Sequence, residues 1–371
     1  MKQTKYLLVA GARPNFMKVA PIHRAFSSRR NEHSNADLLL VHTGQHYSRN
    51  MSDDFFRDLG IPEPDINLEV GSGSHAEQTA RIMMAFEPGL PGTSSGLDDC
   101  RRRRELDGRL RPDREKIGHS RRSRRSWLAL ARYVHAGGDQ PPLYGRRFRP
   151  SVHDRHDRGP ESAENSVAGE KIHFVGNTMI HTLWQQIGRA RQLPLPDGLA
   201  PGEYAVLTLH RPANVDSPDR LALILAAINA IAERIPVVFP VHPRTASRFK
   251  ELELHPRIRI VEPISYLPFL GLVARSRMLL TDSGGIQEKT TVLGVPCLTM
   301  RPNTERPITC EIGTNVLVGT DPRRIVREAG WILDGNARSG AIPEKWDGHA
   351  AERIVDLLLD QPVQASCLVC A

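Results

Sequence analysis

Short apolar runs alternate with amphipathic stretches over most of this chain. Tyr6-Leu7-Leu8-Val9-Ala10 is uniformly apolar and ends at Gly11, the pattern of a strand buried on both faces. Phe16, Val19, Ala20, Ala25 and Phe26 then recur at helical spacing, Leu38 to Val41 reads as a second strand, and Ala76 to Phe86 as a helix. After about residue 170 the alternation resumes. It predicts strands over Tyr204–Leu209, Pro236–Val241, Ile258–Val261, Met278–Thr281 and Val295–Met300. Helices are predicted over Arg220–Arg234, around Phe249, over Leu267–Ala274, after the glycines at 284–285, and over Ala350–Leu359. Apolar strands joined by helices predict an α/β protein with parallel sheets covered on both faces.

Between these stretches the pattern fails. Residues 89–158 sustain no apolar period and carry arginine runs at 101–104 and 121–125. The 371 residues carry a formal charge of +8, but residues 97–158 alone hold seventeen arginines and one lysine against nine acidic residues, +9 in all, so the rest sums to −1. The basicity therefore belongs to one segment and gives no general affinity for anionic partners. A length of 371 suits two domains, and no apolar run approaches the ~18 residues of a membrane span. Met1-Lys2-Gln3-Thr4-Lys5 runs straight into the first strand pattern, with no apolar signal segment. Five scattered cysteines fit a reduced, cytoplasmic protein. Cys367-x-x-Cys370 has no second pair to complete a metal site, and no metal is expected.

Three readings compete for the arginine-rich segment: a nucleic-acid arm, a disordered linker, or translation in the wrong frame. Arginine codons of the CGN type have G in the middle, so a one-base shift turns arginine runs into codons for Val, Ala, Asp, Glu and Gly. Back-translated with permitted codons and read one base later, Arg102–Leu106 becomes Gly-Asp-Val-Asn-Ser. Ser123–Leu128 becomes His-Val-Glu-Ala-Gly-Leu, and His135–Pro141 becomes Met-Pro-Glu-Glu-Ile-Asn-Arg. Trp127, Tyr133, Tyr144 and Phe148 are the segment's only aromatics, a poor supply of stacking partners for nucleic acid. The shifted frame is the reading adopted.

Together with in-frame motifs, these stretches resemble the non-hydrolysing UDP-N-acetylglucosamine 2-epimerases. The in-frame motifs are Gly11-Ala12-Arg13-Pro14-Asn15-Phe16-Met17-Lys18, Thr43-Gly44-Gln45-His46-Tyr47, Phe174-Val175-Gly176-Asn177-Thr178, Leu209-His210-Arg211-Pro212 and Val241-His242-Pro243. The longest is Thr281-Asp282-Ser283-Gly284-Gly285-Ile286-Gln287-Glu288, followed by Thr304-Glu305-Arg306-Pro307. The resemblance covers about 1–88 and 168–360. It implies two Rossmann-like, doubly wound domains around a cleft, the glycosyltransferase-B arrangement. Residues 1–168 would form the first domain, completed by helix 350–361 and interrupted by 89–160, and 169–349 the UDP-binding domain. It also implies a cytoplasmic homodimer acting on UDP-GlcNAc and UDP-ManNAc, with no cofactor, nucleic acid or membrane.

Ser283, Gly284 and Gly285 lie where a strand yields to a helix, so exposed amides and the helix dipole would hold a diphosphate. By the resemblance, Arg13, Lys18, Glu288 and Arg306 join the UDP site, and Phe269 packs against uracil, although core packing competes for that ring. His210, at a strand's C-terminal edge, would act catalytically by supporting departure of UDP, with a structural histidine as the alternative. Gln45, His46, Arg211 and His242 match positions near the cleft or at a second, regulatory UDP-GlcNAc.

The family's inversion at C2 eliminates UDP from C1 as a base removes the C2 proton, then adds UDP back with protonation on the other face. Poorly acidic, that proton demands tuned carboxylates and strong stabilisation of the leaving group. The family's three carboxylates fall here on Arg103, Arg125 and Gly137. Lys289 replaces a family glutamate that binds the ribose, which reverses the charge and removes both acceptor oxygens. The gene thus reads as an epimerase, and this polypeptide as a poor UDP binder without turnover. A UDP-sugar glycosyltransferase of the same fold, or a non-catalytic UDP-binding remnant, is the alternative.

Burying unpaired guanidinium groups costs several kcal/mol each, so residues 89–160 are expected to stay outside any core as irregular coil and chance helix. Limited trypsin digestion should cut between Arg101 and Arg158 and leave a resistant C-terminal fragment. Protection of the middle segment equal to that of residues 170–350 would contradict the out-of-frame reading.

Overall fold

A computed structural model describes residues 4–11, 13–30, 36–44, 59–86, 151–153, 172–241, 253–360 and 367–369. The chain divides into two compact units, Met1–Met179 with His349–Ala371, and Ile180–Gly348.

In the first unit, β1 (Thr4–Ala10) lies between β2 (Ala36–His42) and β12 (Cys367–Val369), and β3 (Ile66–Asn67) pairs with β2, all parallel. Residues 6–10 are all buried, as their unbroken apolar run requires. Helix α1 (Arg13–Arg29) starts with proline in its first turn, and α2 (His75–Phe86) follows later. The closing helix α10 (Ala350–Asp360) packs on α1. There the Tyr6 hydroxyl donates to the Leu358 carbonyl at 2.8 Å, and Arg29 meets Asp356 at 2.9 Å.

Two differences from the sequence reading fall in this unit. Ser151–His153 (β4), within the span expected to be coil, pairs in parallel with β5 (Ile172–Phe174). Ladder bonds use backbone groups, so three residues pair whatever their side chains. The tail carrying Cys367, for which the sequence pattern predicted no element, forms the edge strand β12. The remaining residues of 89–160, Gln45, His46, His242 and the helix expected around Phe249 lie outside the described residues.

The second unit is a single parallel sheet. Its strands are β6 (Ala205–Thr208), β7 (Val237–Pro240), β8 (Ile258–Val261), β9 (Met278–Thr281), β10 (Cys297–Thr299) and β11 (Asn315–Leu317), in the order β11-β10-β9-β6-β7-β8. Side chains alternate between its faces. Ala205, Leu207, Val237, Phe239, Met278 and Leu280 point to one core, shared with α5 (Pro218–Ala232) and α9 (Pro322–Leu333). Tyr204, Val206, Val238 and Leu279 point to the other, shared with α6 (Tyr266–Ala274) and α7 (Gly284–Leu293). Period-two alternation with both faces covered explains why every residue of β9 is buried.

Helix α3 (Thr178–Gln192), the short helices α4 (Pro212–Val215) and α8 (Pro307–Glu311), strand β11 and helix α9 complete the described elements beyond the predicted pattern. Close approach of α3 and α6 depends on Gly271: a Cβ there would collide with the Ala190 carbonyl. No described helix is long and apolar enough to cross a membrane.

The order of the second sheet has one consequence for ligands. From β6 the chain moves outward through β7 and β8, then returns to the other side of β6 for β9, β10 and β11. Connections leaving β6 and β9 therefore diverge, and their C-terminal ends open the crevice where doubly wound sheets bind ligands.

Candidate active site in the second unit

Parallel pairing aligns Leu207 with Leu280 and Thr208 with Thr281, so the residues following both strands meet. The two threonine hydroxyls lie 2.6 Å apart, and Thr281 Oγ1 also accepts from the Ser283 amide at 2.9 Å. One residue beyond β9, Asp282 is 0 % exposed. Its carboxylate accepts from the His210 amide (3.1 Å), the Arg211 amide (2.9 Å) and Asn214 Nδ2 (3.3 Å), and lies 2.7 Å from His210 Nδ1. Burial alone would raise the Asp282 pKa. The His210 ring and the two amides outweigh it and hold the carboxyl below its usual range. A carboxylate accepts only, so it fixes the His210 proton on Nδ1 and leaves Nε2 for a ligand; the ring is 61 % exposed.

Beside this pair, α7 starts at Gly284. Its N-cap Ser283 makes no side-chain capping bond, and Gly284 and Gly285 are half-buried. First-turn amides without a side-chain cap, at the positive end of a ten-residue helix, can receive an anion. The connection after β10 is fastened to this turn by Gln287, whose Oε1 accepts from Thr304 (2.6 Å) and Asn315 (3.1 Å) while Nε2 donates to the Ser283 carbonyl (3.1 Å). Fully buried, Gln287 thus sets where Glu305 and Arg306 stand.

The structure separates the expected UDP residues into groups. Ser283, Gly284, Gly285, His210 and Arg211 cluster at the switch point. Glu288 is instead 1 % exposed with Oε1 2.6 Å from Arg306 Nε, so as arranged this pair braces α7 against the Thr304–Pro307 stretch rather than facing a ligand. Phe269 packs partly into the core and lines a small recess with Tyr266, Leu270, Val273, Ile286 and Lys289. Lys289 is 8 % exposed, and its Nζ lies 4.9 Å from the Tyr266 ring centroid, an attractive placement for a cation. Arg13 opens α1 and Lys18 is half-buried within it, both in the first unit. Sequence reading missed the work of Asp282, Gln287 and Arg301. The first two stand inside quoted motifs without a signal for their partners, and Arg301 lies outside them.

Two α/β units, the second a doubly wound sheet, set an oriented histidine and an anion-receiving helix N-terminus at the crevice where such sheets bind ligands. The sequence profile of the UDP-N-acetylglucosamine 2-epimerase family matches residues 28–93 and 163–359, and the chain belongs to that family. A UDP-N-acetylglucosamine 2-epimerase of Methanocaldococcus jannaschii is 34 % identical, with 95 % of this chain and 98 % of the relative covered. A Pseudomonas aeruginosa UDP-2,3-diacetamido-2,3-dideoxy-D-glucuronate 2-epimerase is 33 % identical over 95 % of this chain and 99 % of its own length. The crystal structure of the M. jannaschii UDP-GlcNAc 2-epimerase with UDP-GlcNAc and UDP aligns at a TM-score of 0.65 and 28 % identity, covering 96 % of this chain and 100 % of that one.

Lys289 gives the site a pH signature. Burial pushes its ammonium down to about 8, with Glu288 pulling the other way. In the unfolded chain a lysine keeps its proton to roughly pH 10.4. Between these values the unfolded state binds more protons, so the Lys289 contribution to stability rises with pH. Lys289→Met should therefore gain most over the wild type below about pH 8, and that gain should shrink towards pH 10. Burial also pushes the Cys297 thiol up to about 12, but that group is common to both proteins and cancels in the difference. Urea unfolding across pH 6–10 measures it, and a gain independent of pH would contradict the assignment.

Proposed function

We propose that this chain is specified as a UDP-N-acetylglucosamine 2-epimerase, interconverting UDP-GlcNAc and UDP-ManNAc as a cytoplasmic homodimer. The reading rests on one observation above all: the Asp282-oriented His210 beside the α7 N-terminus, where two ligand-stabilising groups converge at one sheet edge. The α7 amides receive the diphosphate, and His210, in the imidazolium form with its Nδ1 proton held by Asp282, donates from Nε2 to the leaving UDP oxygen, so charge developing on that oxygen is neutralised. Abstraction of the C2 proton and delivery to the opposite face fall to carboxylates that this sequence lacks at Arg103, Arg125 and Gly137. The polypeptide accordingly binds UDP weakly and turns over nothing. Supporting the out-of-frame reading, the family match stops at residue 93 and resumes at 163, around that same segment.

Proton NMR of UDP-GlcNAc incubated with a frame-corrected protein tests both parts. The corrected protein should produce a UDP-ManNAc anomeric signal, and the unaltered chain none. Transfer of the sugar only on adding an acceptor would point to the glycosyltransferase of the same fold. In the corrected protein, Asp282→Asn should lower kcat by roughly 10²–10⁴-fold, since His210 then loses both its fixed tautomer and its counter-charge. Undiminished turnover would remove the pair from the mechanism.

A further inference from the structure

A carboxylate of the chain itself, that of Glu305, stands beside the α7 N-terminus. A Cβ built on Gly284 would lie 3.1 Å from Glu305 Oε2. Arg301, 6 % exposed, grips both carboxylate oxygens, Nη2 to Oε1 at 2.7 Å and Nη1 to Oε2 at 3.1 Å. From the β6 side Arg211 Nη2 reaches Oε1 at 3.1 Å. Two guanidinium groups thus hold a carboxylate beside the helix N-terminus that would receive a phosphate. The Arg301 hydrogen bonds above all, against the opposing effect of burial, hold the Glu305 carboxyl down to about 2, so it stays charged throughout the working range of pH.

We propose that Glu305 is a specificity-determining residue, a resident counter-ion that admits a diphosphate and turns away a monophosphate. The inference rests on the UDP reading of this site. An entering anion must replace the bonds that Arg211 and Arg301 now make to Glu305, and it must tolerate the displaced carboxylate nearby. A single phosphate centre offers one tetrahedron of oxygens, which can satisfy the helix amides or span the two guanidinium groups, but gains little over the carboxylate it expels. A diphosphate carries more charge on two linked centres, so one meets the amides while the other takes over the arginines. Glu305 removes most of the affinity for the smaller anion and only part of that for the larger. Positioning by Gln287, through Thr304, keeps the carboxylate at this station.

Isothermal titration of the full chain with pyrophosphate and with orthophosphate tests this, with UDP titrated alongside. The wild type should prefer pyrophosphate strongly. Glu305→Gln and Glu305→Ser should each shrink that preference roughly tenfold, mainly by tightening orthophosphate, because the two arginines are then free of a competing charge. Using two variants means that either one, once folded, gives the answer. An unchanged or widened preference, or loss of affinity for both anions in parallel, would overturn the inference and leave Glu305 as a brace for Arg301. If the wild type binds UDP and the preference does not move, only the Glu305 inference fails. If UDP and pyrophosphate bind neither the wild type nor the variants, the UDP reading fails with it.

Discussion

Register between two neighbouring strands underlies everything the second unit can do. Because β6 and β9 pair in parallel with Thr208 opposite Thr281, Asp282 is delivered beneath the turn that carries His210 and Arg211, some seventy residues away in sequence. Asp282 is a buried charge, tolerable only because two amides, an asparagine and an imidazole surround it. Its carboxylate has two functions that cannot be separated. It satisfies the backbone where the chain leaves β6, and it orients the histidine. Removing it would strip partners from buried donors as well as release the ring.

A second layer of polar contacts carries that order outward. Gln287 joins the first turn of α7 to Thr304 and Asn315, and Glu288 meets Arg306 within the same wall. The Thr-Glu-Arg-Pro stretch is thereby tied to the helix it follows only distantly in sequence. Its two charged residues point to different tasks, Arg306 inward to Glu288 and Glu305 outward over Gly284. Lys289 follows a third course. A cation is buried against Tyr266, beside the partly buried Phe269, at a cost in hydration that shows as a depressed pKa.

Much of the second unit was legible in the sequence. Period-two burial and helical spacing located β6 to β10 and α5 to α7, because their apolar residues serve cores on both sheet faces. Gly284 and Gly285 marked the helix start, and the quoted motifs marked the family. Short elements such as β11, three residues long, and α8, five, were not found, and the longer helices α3 and α9 were also missed although α9 is strongly amphipathic. β12 and β4 were also missed, since segments of three residues are too short to show a period.

By itself the sequence determined the α/β class, the alternation of strands and helices, and the family. These follow from residue identity and local period. Tertiary structure alone decided which charges meet. It paired the buried Glu288 with Arg306, and placed Asp282 under His210. It also set Glu305 against an open helix end between Arg211 and Arg301. Those contacts join residues from the ends of different parallel strands. Pairing across a sheet depends on strand order and register, which no local pattern in the chain records.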